Sequence, residues 1–177
     1  MILEETINNL LRQTIDLLLE SQGYTIRAKQ KGAPRPRNPY SDVDFVSDTS
    51  VGWEQTEYAD VIGDDNVEIT SKGMRQIMMS VSFYRESSID NARKVRHGLT
   101  RESIQGLFRQ AGLGLTRRSE VRELSEALEN GWEERAQFDI FLSAVGTDTD
   151  IVQSIGSVDI ASEYQARGLT YNFNIEV

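Results

Sequence analysis

The chain contains no cysteine, a single histidine, three prolines and two tryptophans in 177 residues. Without thiols, a disulfide framework and a thiolate metal site are both excluded. With one imidazole, His97, no site built on paired histidines can form. No apolar run approaches the roughly 18–20 residues that a spanning helix needs. The opening MILEETINNLL is acidic and amphipathic, unlike a secretory signal. The expectation is therefore a chain made and folded in a cytoplasm, with no membrane partner. Positive charge is scarce as well: 19 basic residues face 28 acidic ones, a net charge of −9. Gripping nucleic acid by neutralising phosphates needs a basic footprint. An acidic surface along which DNA slides without sticking remains open. The phosphate-cradling and nucleophile signatures G-x-x-x-x-G-K-[ST], G-x-G-x-x-G and G-x-S-x-G do not occur.

What is present is periodicity. Residues 2–21 place Ile2, Leu3, Ile7, Leu10, Leu11, Ile15, Leu18 and Leu19 at spacings of three and four, which predicts an amphipathic helix closed by Gly23. YTIRAKQ alternates as a short strand. All three prolines fall in KGAPRPRNPY, so residues 31–41 are expected to be an extended loop, and the turn-rich, acidic residues 47–66 a second long loop or flexible hairpin. In between, SDVDFV reads as a strand with Val43 and Phe45 on one face. Ile77, Met79, Val81 and Phe83 alternate along a strand that follows a turn at SKG.

A second helical segment spans 88–111, with Ser88 or Asp90 as its N-cap and Gly98 and Thr100 interrupting its pattern. SEVRELSEALEN reads as a short helix or a charged loop. From Arg135 onward the pattern is β, with Ala136, Phe138, Ile140 and Leu142 on one face. GTDTD then punctuates, IVQSIGSVDIA bends at Gly156, and LTYNFNIEV closes as a last strand. The order helix, strands, helix, strands predicts an α+β fold: one domain over residues 1–177, a mainly antiparallel sheet flanked by two principal helices.

Candidate chemistry is sparse. His97 sits in NARKVRHGL without a second imidazole or thiolate, which favours a surface or subunit-contact role. Asp42, Asp44 and Glu68, with Lys72, loosely resemble a metal-dependent hydrolase or nuclease set. There, however, the carboxylate and lysine belong one residue apart on one strand face, and here three residues intervene. GTDTD and GDDN lack the twelve-residue calcium loop. GWEERAQFDIFL offers Glu133, Glu134 and Arg135 beside Trp132. With no base or nucleophile nearby in sequence, it reads as a corner, Trp132 anchored under the sheet and Arg135 paired.

The succession NPYSDVDF, EITSKGMRQIMMSVSFYRE, DNARKVRHGL and EVRELSEALENGWEERAQFDIFL resembles the neck or tail-terminator family of contractile-tailed bacteriophages and related prophages, over residues 2–177. That resemblance implies a structural virion protein without catalytic residues or cofactors. It implies a homo-oligomeric ring, typically of six subunits, that caps the tail tube and joins it to head-completion proteins, with DNA passing through the lumen. Tail-tube and sheath proteins are further implied partners. Interface candidates are Pro34, Arg35, Pro36, Arg37, Tyr40 and Trp53, then Arg93, Lys94, Arg96, Trp132 and Arg135. Arg93, Lys94 and Arg96 are candidates to meet the acidic 54–65 stretch of a neighbour. Another ring component of the tail belongs to the same assembly class.

Overall fold

A computed structural model describes residues 4–30, 34–61, 66–128, 131–153, 164–166 and 169–171. Helix α1 (Glu4–Leu19) forms where the three-four spacing lies, with Glu4 and Glu5 in the first turn, where negative charge suits the helix dipole. Its stripe of Ile7, Leu11, Ile15 and Leu18 is buried. The chain then reverses, Gly23 adopting φ +72, and the Asp16 carboxylate accepts from the amides of Gly23 (2.7 Å) and Thr25 (2.9 Å). That contact fixes the start of β1 (Thr25–Arg27), which pairs in parallel with β2 (Tyr40–Asp60), Ile26 opposite Asp42.

The main sheet continues with β3 (Asn66–Tyr84), β8 (Arg135–Gln153) and β4 (Leu113–Arg118), in the order β1-β2-β3-β8-β4, with β5 (Arg122–Glu123) also on β8. It is mixed and mainly antiparallel: β4 and β5 run antiparallel to β8, and β1 is the parallel member. Helices α2 (Ser88–Gly98) and α3 (Glu102–Gln110) follow β3. Two small antiparallel pairs complete the described structure: β6 (Glu126–Leu128) with β7 (Gly131–Glu133), and β9 (Tyr164–Ala166) with β10 (Leu169–Tyr171). The fold is α+β.

The chain divides into two compact units. The first comprises 1–54 and 73–146, the second 55–72 and 147–177. In the first, one sheet face carries Val43, Met79, Val81, Phe83, Phe138, Ile140 and Leu142 into a single core with the buried stripes of all three helices. Phe83 and Phe138 stack there at 6.1 Å. Gly98 lets α2 approach α1, since a Cβ at that position would lie 2.5 Å from a methyl of Leu18. In the second unit Lys72 Nζ pairs with Glu57 at 2.6 Å, and the hydroxyls of Thr70 and Thr149 meet at 3.5 Å.

Several expectations are corrected. Of the two forms expected for residues 47–66, the long loop is corrected and the hairpin holds: residues 47–60 continue β2, the neighbour of β3, with Gly52 at φ +80. Neighbouring strands supply the backbone partners, so a poor local propensity is overridden by sheet context. The 31–41 loop is shorter than expected, because Tyr40 and Ser41 open β2. SKG is strand, not turn, and so is GTDTD. The second helical segment is two helices parted at Leu99–Arg101. Its N-cap is Ser87, left-handed at φ +63 and without a side-chain cap, rather than Ser88 or Asp90. Residues expected as a short helix or loop at 119–130 provide strands β5 and β6. Gly156 and residues 172–177 lie outside the described residues.

Candidate functional site

Because side chains alternate along a strand, the sheet face opposite the core collects every second residue. From β2 it takes Asp42 and Asp44, from β3 Met78, Ser80, Ser82 and Tyr84, from β8 Arg135, Gln137 and Asp139. With Lys29, Arg35 and Arg122 these line a groove of about 470 Å³.

At one end Tyr84 donates to Asp42 Oδ2 at 3.1 Å, stacks on Tyr40 at 4.6 Å and lies under the Arg135 guanidinium at 5.1 Å. Burial pushes the Tyr84 hydroxyl up to about 12, with the Asp42 charge adding to it. Burial likewise raises the Asp42 carboxyl above its ordinary value, against the hydrogen bond from Tyr84 and the nearby Arg135 charge. Arg35 and Arg85 converge on the nearly buried Glu133 carboxylate, at 3.5 and 3.7 Å. At the other end buried Asp139 accepts from Ser80 (3.0 Å) and Arg122 (2.7 Å), and Gln137 donates to Ser80 (2.5 Å).

These groups are committed to one another. A tyrosine held protonated and donating to a carboxylate is the reverse of a poised general base, which needs its pKa near the working pH. Among the described residues no group of three or more His, Asp or Glu side chains is placed to hold a metal ion. Asp42 and Asp44 share the groove, whereas Glu68 and Lys72 belong to the other unit.

Of the sequence-predicted interface residues, the structure brings Arg35, Tyr40 and Arg135 to the Tyr84–Glu133 end of the groove. Pro34, Pro36 and Arg37 lie on the segment leading to it, Pro34 and Arg37 exposed and Pro36 half-buried. Trp132 is not an anchor under the sheet: it lies on β7 opposite Ala127 of β6, in a two-stranded pair apart from the main sheet, and is 74% exposed. Trp53 is 99% exposed on β2. Arg93, Lys94 and Arg96 sit on α2, away from that cluster. Arg93 reaches Asp90 of its own helix at 3.7 Å, and Arg96 Nε donates to the Ser119 carbonyl at 2.6 Å. His97 is exposed. Sequence reasoning named none of Tyr84, Arg118, Arg122 and Asp139 as site residues; the period-two patterns of β3 and β8 placed Tyr84 and Asp139 off the core face, but nothing local marked their partners.

Fold and surface together describe an α+β protein whose groove carries polar groups bonded to one another across three strands. Residues 2–166 match the family described as phage neck terminator protein. The chain belongs to that family, a family of structural proteins of the phage neck. A comparison with curated proteins finds no match. Among the described residues no helix is long and apolar enough to cross a membrane.

Proposed function

We propose that the chain acts as a single tail-terminator-like domain that assembles into a ring, of six copies, at the head-proximal end of the tail. The ring caps the tail tube, stops its growth and presents a surface to the head-completion proteins, with DNA passing through its lumen. It does so as a virion component and without catalysis. The supporting observation is β2 itself. Residues 48–60 of this strand are all exposed, and they include Val51, Trp53 (99% exposed) and Tyr58 (71%). Large side chains left in water on an exposed strand are suited to being covered by a partner. A strand also offers backbone donors and acceptors to a neighbouring chain. The Arg35–Glu133–Tyr84 end of the groove and the segment from Pro34 to Tyr40 serve as a second contact surface.

Negative-stain electron microscopy of the purified chain mixed with its cognate tail tubes tests this reading. Rings, or caps seated at one end of the tubes, are the expected result. Particles that never touch a tube would overturn it, as would magnesium-dependent nuclease activity lost on Asp44→Ala.

A further inference from the structure

The charge of this chain is unevenly spread. Residues 88–118 carry seven Lys and Arg and two acidic residues, Asp90 and Glu102, so this stretch is +5 within a chain of −9 and the remainder is −14. The stretch forms α2, α3 and β4. At the junction of α2 with β4 two arginines lock onto each other's backbone surroundings. Arg96 Nε donates to the Ser119 carbonyl at 2.6 Å, and Arg118 Nη1 donates to the Arg96 carbonyl at 2.9 Å. Among the described residues neither has a carboxylate within ion-pair distance, and the same is true of Lys94, Arg101 and Arg117. Burial and the charge of Arg96 together lower the Arg118 pKa. Neighbouring cations held by fixed hydrogen bonds carry a like-charge cost that an incoming carboxylate removes.

The complement is on the same chain. Glu54, Glu57 and Asp60 lie on exposed β2 with no basic residue among residues 54–60. Glu54 and Asp60 are both exposed, and among the described residues neither is within ion-pair distance of a base, Glu54 acting on Arg75 only at longer range. We infer that the Arg96–Arg118 junction is a docking site for a second copy of this chain, whose β2 carboxylates Glu54 and Asp60 it receives. The two patches are different surfaces, so the contact is head-to-tail, the kind that closes into a ring when the rotation allows. This rests on the assembly reading above and specifies the contact behind it. Double-stranded DNA is the competing occupant of a basic face, and the test separates it.

Because the chain has no cysteine, introduced thiols report alone. Full-length chain carrying Lys94→Cys with Gln55→Cys is treated with a flexible bismaleimide linker and run on a denaturing gel. A ladder beyond the dimer is expected, whereas either single variant stops at the dimer. The ladder should shrink several-fold between about 0.1 and 1 M NaCl, as the screening length falls from about 10 to about 3 Å. Arg96→Glu with Arg118→Glu should abolish it, and adding Glu54→Lys with Asp60→Lys to the same chain should restore it, which a misfolded variant would not show. No ladder, or a ladder indifferent to the reversals, overturns the inference. So does salt-sensitive retardation of a DNA duplex lost on the arginine reversal. Rings on tubes without a ladder sink this contact and leave the ring; a ladder without tube caps keeps the contact and sinks the capping role.

Discussion

Gly98 illustrates how a residue's role hides in sequence. Next to His97 and Thr100 it looks like a break in a helix, yet it closes α2 and touches α1: the space its missing Cβ leaves is filled by Leu18. Gly98→Ala must displace a buried side chain, an overpacking that costs about 1–3 kcal/mol. Thermal unfolding should drop by several degrees, at roughly 2–4 °C per kcal/mol for this chain length; an unchanged midpoint would show that Leu18 can yield. Asp42 makes a second prediction. Its folded-state pKa is raised, chiefly by burial, so the folded chain holds the proton more tightly than the unfolded one. The stability it contributes is fully present below the unfolded-state pKa and is lost as pH rises through the folded-state value. Asp42→Asn keeps an oxygen for the Tyr84 hydroxyl and removes the titration. Denaturant midpoints should therefore favour the variant more at neutral pH than in acid, and the opposite trend would refute the assignment. None of this was legible beforehand. Asp42 stood out in sequence as half of a metal pair, and only pairing across three strands reveals Tyr84 and Arg135 as its company.

Elements with a buried face were legible, because burial imposes a period. Residues 4–19, 77–83 and 136–142 show it, and α1, β3 and β8 lie there. Residues 47–60 defeated the same reasoning for the inverse reason: with both faces in water no alternation is selected, and Asp, Ser, Thr and Gly imitate a loop. The break at Leu99–Arg101 was signalled by Gly98 and Thr100, but the short strands at 122–128 had too few residues to carry any period. One polar residue organises an element: the Asp16 carboxylate joins the end of α1 to β1 through two backbone amides. Asp16→Ala leaves both amides to find other partners, at a cost of about 1–3 kcal/mol. Hydrogen exchange should quicken around Thr25–Arg27 well before the core strands respond, and uniform acceleration instead would mean that β1 is not held locally.

At the scale of the whole chain, composition said what is absent and the family match says what class of particle the chain serves. The interface candidates divided accordingly. Arg35, Tyr40 and Arg135 lie in one cluster, while Arg93, Lys94 and Arg96 lie on α2, where Arg96 meets Arg118, a neighbour distant in sequence order. The tryptophans, of which the sequence anchored Trp132 under the sheet and left Trp53 as an interface candidate, share one trait. Trp53 and Trp132 are both largely in water, 99% and 74% exposed, while the packed interior is aliphatic and phenylalanine-rich. Indole emission is thus an optical reporter wired to the outside of the molecule. Melting the core should barely move it, whereas a neighbour settling over β2 should shift it to the blue, so that a cuvette distinguishes joining from unfolding without any label.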